Sequence, residues 1–268
     1  MTFIGEYYKL IYNQIKQNNN GKKGGEGMRF NVELLLGNEK IPKDKNRVIL
    51  SFLKHTYESY DKNYYKSLYE EGKSKRKSFT FSMYMPSCKF EREEIILPDK
   101  KIILNFSTVD MQDGIFFYNS MLRNKRKTYE FKNNSITINR IGMNKEKIIT
   151  GDSTIYTTMS PIVVREHEGD NKKTWYHSLS DEKGKEIFIE NLKHQLINHF
   201  GNDIKYDIEE IQFEVLKNKE VKVKHYGIEV LSNICSLKLQ ARPYILDYLY
   251  KGGIGSLKSS GFGMVDLV

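Results

Sequence analysis

The sixteen residues that end this chain restrict its fold more than any other stretch. Gly253-Ile254-Gly255-Ser256-Leu257-Lys258-Ser259-Ser260-Gly261-Phe262-Gly263 sets two Gly-x-Gly pairs around a polar segment. A helical run from Arg242 to Tyr250 precedes it, and an apolar strand, Met264 to Val268, follows. Such pairs ask for positive φ and for close approach of the backbone to another group. One use is a tight helix-to-strand connection. Another is an anion-binding concavity of bare N–H groups with Lys258 beside it. No Gly-Lys-Ser/Thr opens a helix here, and the loop runs from helix into strand, so neither the nucleoside-triphosphate nor the dinucleotide glycine pattern applies.

The rest of the chain indicates what anion to expect. Lysine and arginine number 43 against 34 acidic residues, a net charge of +9 that favours a polyanionic partner. The 18 tyrosines and 14 phenylalanines among those lysines suit a single-stranded nucleic acid, whose bases stack while cations hold phosphates. Cys88 and Cys235 are the only cysteines, with no Cys-x-x-Cys, which argues against a disulfide scaffold or a zinc site. No apolar run approaches the roughly 20 residues needed to span a bilayer. A signal sequence is also lacking, so a soluble, cytoplasmic chain without a membrane partner is expected.

Residues 1–27 read as an appendage: Ile4, Tyr8, Ile11 and Ile15 recur at helical spacing, before a Gly/Asn/Lys linker. Met28, Phe30, Val32 and Leu34 then alternate with polar residues as a half-buried strand. A helix follows, with Val48, Ile49, Phe52, Leu53, Thr56 and Tyr60 in its stripe, and then a lysine- and tyrosine-rich segment from Tyr57 to Arg76. Phe79 to Met85 alternates, Ile102 to Phe106 is a further strand, and Asp110 can cap a helix carrying Met111, Ile115, Tyr118 and Leu122. Ile136 and Ile138 complete a βαββαβ order over 28–145. The order repeats over 146–268. A strand from Ile155 to Val164 bends at Ser160-Pro161, and a helix carries Phe188, Leu192, Leu196 and Phe200. Ile211, Phe213 and Val215 are expected to form a hairpin with Val221 and Val223. The Cys235–Leu239 strand, a helix opened by Pro243, the glycine loop and the last strand close the unit. The expected fold is therefore α+β, a tandem of ferredoxin-like, RRM-like units.

Three stretches carry a resemblance to the Cas6 family of CRISPR-associated endoribonucleases, over about residues 28–268. Gly253-x-Gly255-x5-Gly261-Phe262-Gly263 fits that family's C-terminal glycine-rich signature. Thr158-Met159-Ser160-Pro161-Ile162 resembles its Thr-Leu-Ser-Pro-Ile segment, and Phe79-Thr80-Phe81-Ser82 its Phe-Thr-Phe-Ser strand. The resemblance implies two ferredoxin-like domains and cleavage of precursor CRISPR RNA at its repeats without a metal or other cofactor. In that reaction a 2′-hydroxyl attacks the adjacent phosphate, leaving 2′,3′-cyclic phosphate and 5′-hydroxyl ends. A base, a charge-balancing cation and an acid are required.

The family often has Leu-His before the Phe-Thr-Phe-Ser strand, where this chain has Leu68-Tyr69. Tyr69 thus stands at the usual histidine position. His55 is the first unit's one histidine, roughly 100° from the centre of its helix's apolar stripe. The resemblance therefore implies a site drawn from His55, Lys54, Tyr69 and Lys77, or a member that holds RNA without cutting it. Outside that resemblance, a general RNA-binding module is a third reading.

RNA contacts are expected from Gly253, Gly255, Lys258, Ser259, Ser260, Gly261 and Gly263, from Lys222 and Lys224, from Arg123 to Lys127 including Arg126, and from Arg165 and Arg242. His194 and His199, five residues apart on one helix, do not share a face as metal ligands, and His167, His177 and His225 read as structural or exposed. Asp99 and the Asp181-Glu182 pair lack a partner carboxylate for metal-dependent cleavage. Expected partners are the precursor repeat RNA and other CRISPR effector subunits, with the chain a monomer or homodimer.

Overall fold

A computed structural model describes residues 27–70, 77–168 and 173–268; the proposed helix at Ile4 to Ile15 and the basic run before Lys77 lie outside them. Alternation in β1 (Met28–Leu36) sends Phe30, Val32 and Leu34 into a core with no solvent exposure. The helices α1 (Lys45–Tyr60), α2 (Lys62–Tyr69) and α3 (Met111–Arg123) follow in this unit, with strands β2 (Phe79–Tyr84), β3 (Lys101–Thr108), β4 (Thr128–Phe131) and β5 (Asn134–Met143). β1 pairs antiparallel with β3, setting Phe30 opposite Phe106, and with β5 on its other side. The sheet order is β2-β3-β1-β5-β4, which is the ferredoxin-like arrangement with one added edge strand.

The aromatic core explains why the two long helices settle on one face of this sheet. Phe106 and Phe117 stack at 3.8 Å between centroids, and Phe30 lies 5.4 Å from Phe117. Asp110 caps α3 as its sequence suggests, accepting from the N–H of Gln112 and of Asp113. The lysine- and tyrosine-rich segment after α1 forms α2, a helix that its composition concealed. Asp61 starts α2 by accepting from Asn63 N at 2.8 Å and Tyr64 N at 3.0 Å.

The second unit repeats the topology. It comprises β6 (Ser153–Thr158), β7 (Val164–Glu168), β8 (Lys173–His177), α4 (Glu182–Phe200), β9 (Gln212–His225), β10 (Ile228–Gln240), α5 (Pro243–Gly252) and β11 (Val265–Leu267). Its sheet runs β9-β10-β6-β11, the same permutation as the first without the added strand. The expected hairpin within 211–223 is corrected. Phe213, Val215, Val221 and Val223 all lie in the single strand β9, whose partner is β10, and a register shift between Val215 and Lys217 absorbs the polar Lys217–Glu220 stretch. The turn falls instead at Tyr226-Gly227, where both residues have positive φ, 49° and 85°.

The polar face of the first sheet is where the two units meet. Arg29, Thr80 and Ser107 project from it onto backbone carbonyls of the second unit. Arg29 donates to Tyr250 O at 2.9 Å and Val265 O at 3.0 Å, and its guanidinium lies 4.2 Å from the Tyr250 ring centroid. Ser107 Oγ donates to Lys251 O, and Thr80 Oγ1 to Phe262 O, at 2.7 and 2.8 Å. α5 is thus held between its own sheet and the neighbouring one. No helix among the described residues is long and apolar enough to cross a membrane.

Candidate functional site

The glycine loop is less bare than its composition suggests. Ile254 N donates to Gly263 O, Ser256 N to Val163 O, Gly261 N to Lys258 O and Gly263 N to Pro161 O, all between 2.8 and 3.0 Å. The expected cradle of open N–H groups is therefore corrected: much of this backbone is committed to the protein. The glycines serve close packing instead. A Cβ on Gly263, at φ 69°, would fall 2.0 Å from Ile254 O, and one on Gly261, at φ 86°, would strike the Phe81 ring at 2.6 Å.

The loop also draws the three characteristic stretches of the sequence to one point. Pro161 and Ser160 receive the Gly263 and Met264 N–H groups, and the Asn46 amide at the start of α1 donates to Ser260 O. Thr80 reaches Phe262 O from β2. Phe262 itself is fully buried with Val163 and Val230. What stays half-exposed is the middle of the loop, residues 255–260.

That middle forms one wall of a cavity of about 730 Å³. Gly255, Lys258 and Ser259 face Lys77 of the first unit, Arg165 and His167 of β7, and the α4 residues Asn191, His194, Gln195, Asn198 and His199. Asn191 ties the walls together. Its Oδ1 accepts from Ser256 Oγ at 3.0 Å and from Arg165 N at 3.3 Å. The His199 ring stacks on Tyr248 at 4.2 Å and 23°, and Lys258 Nζ lies 5.6 Å from the same tyrosine's centroid. Burial first, and then the nearby Lys258 charge, lower the His199 pKa.

Beside this cavity, three of the four residues chosen for chemistry converge. Lys77 Nζ lies 4.5 Å and Lys54 Nζ 5.1 Å from the centroid of the Tyr69 ring. Burial, followed by repulsion from Lys54, lowers the Lys77 pKa. The Tyr69 hydroxyl is sealed from solvent without a hydrogen-bond partner, and burial raises its pKa. His55 does not join them. One residue beyond Lys54, it turns to the next face of α1 and packs against Tyr129 of β4, ring centroids 5.0 Å apart. A step of about 100° per helical residue turns Lys54 and His55 to different neighbours.

The expected RNA contacts divide in the same way. Arg123, Lys125, Arg126 and Lys127 are all exposed after α3, where Asn124 is bound to Ser59 near the end of α1. Lys224 pairs with Glu93 at 2.8 Å and Lys222 with Glu229 at 3.7 Å. Arg242 is held by Asp207 at 3.2 Å and Glu210 at 3.3 Å, which raises its pKa. Arg165 borders the cavity. The sequence reading missed the α4 wall, because it weighed His194 and His199 only as a metal pair. Their signal lay in the polar residues Asn191, His194, Asn198 and His199, which together cover a broad flank of the helix. Among the described residues, no group of three or more His, Cys, Asp or Glu side chains is placed to hold a metal ion.

Residues 143–267 match the family described as CRISPR associated protein Cas6, C-terminal. The whole fold is similar to that of a solved Cas6-related protein from Pyrococcus furiosus. TM-score is 0.77 and identity 21%, over 91% of this chain and 99% of that one. It is equally similar to a solved RAMP protein described as binding different RNA substrates (TM-score 0.76, 21% identity, 90% and 99% covered). A solved CRISPR associated protein Cas6 matches at TM-score 0.70 and 23% identity, over 91% and 100% of the two chains. No curated protein matches the sequence.

Proposed function

From the match of residues 143–267 to the Cas6 C-terminal family, we propose that this chain is a Cas6-family CRISPR protein that cuts precursor CRISPR RNA within its repeats, by attack of a 2′-hydroxyl on the neighbouring phosphate. The kinship supports work on repeat RNA, by processing or by binding, and a solved Cas6 product complex of the same fold is among its neighbours, at TM-score 0.67. The observation that carries the cutting reading is the convergence of Lys54 and Lys77 over Tyr69, on the border of the glycine-loop cavity.

In this reading Lys77 is the base. Its pKa is lowered by burial and by Lys54, so a larger fraction of it is neutral near pH 7 than of an ordinary lysine, and a neutral amine accepts the 2′-hydroxyl proton. The Lys54 ammonium balances the charge that builds on the phosphate oxygens and gives a proton to the 5′-oxygen as its bond to phosphorus breaks. Tyr69 is a positioning residue, because its hydroxyl is enclosed while its ring lies under both lysine nitrogens. Lys258 and Arg165 attract the RNA backbone from the far side of the cavity.

A second reading, an inactive repeat-RNA carrier within an effector complex, is favoured by one observation: His55 faces Tyr129 rather than the lysines. Incubation of the protein with the repeat RNA of its own genome in EDTA, followed by mapping of product ends, separates the two. A single cut leaving a 2′,3′-cyclic phosphate supports the nuclease. Tight binding with intact RNA supports the carrier and overturns the cutting reading.

A further inference from the structure

The α4 wall of the cavity has no part in the chemistry above, yet it is built to a definite shape. The His199 ring is exposed, but it is not loose. One face rests on Tyr248, at 4.2 Å and 23°, and its edge meets Phe200 at 4.6 Å and 84°. The His199 side chain lines the cavity, as does Tyr248 beneath it. An exposed aromatic ring fixed on one side is a ready surface for a nucleobase, since every base has a π-face and stacking needs no particular sequence. A ring already held loses little freedom when a base is laid on it.

The remaining walls supply what a nucleotide needs besides a platform. Lys258 and Arg165 line the space as cations, and Lys77 borders it from the first unit. Two carboxylates, Glu166 and Glu190, also line it. Glu166 is already paired, with His177 at 2.6 Å and Lys183 at 3.0 Å. Asn198 and His194 also line the cavity, the Asn198 amide donating to His194 O. At about 730 Å³ the space lies within the roughly 300–1,000 Å³ typical of pockets that enclose one small molecule. The depressed pKa of His199 fits a neutral ring at pH 7, which stacks without carrying a charge into the pocket.

We propose that this cavity is a nucleotide pocket, in which one unpaired base of the RNA stacks on His199 while Lys258 and Arg165 hold the phosphates that flank it. The proposal rests on the chain being a repeat-RNA protein and extends that reading. The pocket selects an unpaired nucleotide at a fixed distance from the Lys54–Lys77 cluster, so it sets where along the strand the cluster acts.

The test uses the full-length protein and its genome's repeat RNA, carrying 4-thiouridine at single positions. One position is expected to cross-link within residues 194–199. His199→Ala should weaken binding by between about 5-fold and 150-fold, the span that base–aromatic stacking supplies. His199→Phe, which restores a flat ring without imidazole, should recover most of that loss. Thermal unfolding of each variant confirms that the fold is retained. Wild-type affinity in His199→Ala, or a His199→Phe variant as weak as the alanine one, overturns the pocket. The EDTA incubation separates the two claims. Intact RNA that still cross-links to α4 removes the cutting reading and keeps the pocket, whereas a normal cut with no effect of His199→Ala does the reverse.

Discussion

Arg29 offers the sharpest test of how the two units are joined. Its guanidinium is only 4% exposed and donates to two carbonyls of the second unit, Tyr250 O at 2.9 Å and Val265 O at 3.0 Å. Hydrogen bonds to a charged group contribute about 1.5–3 kcal/mol each, so the pair is worth about 3–6 kcal/mol before any offset. The offset is the cost of burying the charge, visible in a pKa lowered first by desolvation. Arg29→Ala recovers that cost but leaves two buried carbonyls unpaired, for an expected net loss of about 2–4 kcal/mol. Chains of this size shift by about 2–4 °C per kcal/mol, so the melting temperature should fall by on the order of 5–15 °C. Calorimetry should also show the single transition of the wild type splitting in two, as the units lose their shared cooperativity. Arg29→Lys should rescue only partly, because one ammonium cannot reproduce the fork across two carbonyls. An Arg29→Ala protein that melts within 1 °C of wild type, in one transition, would refute this account of the seam.

Other expectations follow from the same geometry. Lys77→Ala should slow cutting by about 100-fold or more, the scale of general-base assistance, while His55→Ala leaves the rate near wild type; single-turnover assays decide between the two sites. Lys77 has a lowered pKa, so the rate should rise with pH through that value, below the ordinary lysine range, and Lys77→Arg, which keeps its proton, should abolish the rise. Tyr69→Phe should retain most activity whereas Tyr69→Ala loses it, because the ring rather than the enclosed hydroxyl meets the lysines. Gly263→Ala should give little folded protein on expression, since the added Cβ would lie 2.0 Å from Ile254 O. Cys235, 4% exposed and with its thiol pushed up to about 12, should resist iodoacetamide at pH 8 in the folded state, while the half-buried Cys88 reacts.

Periodicity revealed the doubled topology, because each half alternates cleanly on strands such as Met28–Leu36 and carries apolar stripes on its helices. It also revealed the cap at Asp110 and the proline that opens α5, which depend only on neighbours in sequence. The hairpin was misjudged where a bulge lets Lys217 to Glu220 stay in a strand, since pairing with a distant partner overrides local polarity. Lys54, Tyr69 and Lys77 were legible as a set. Their company without His55 was not, because the facing of a stripe-edge residue depends on the added strand that supplies Tyr129. The cavity was hidden for a similar reason. Its walls come from β7, α4 and the glycine loop, which lie far apart in the chain and meet only through bonds such as Ser256 to Asn191.

The use of the first sheet's polar face for docking limits how such a protein can be taken apart or recombined. Severed near the middle, the amino-terminal portion would present Arg29, Thr80 and Ser107 to water with their acceptors gone, and the carboxy-terminal portion would show α5 bare along one flank. Neither fragment is an independent cassette. Swapping one portion for that of a distant relative would succeed only where those three side chains find the same carbonyls, so the halves are bound to change together.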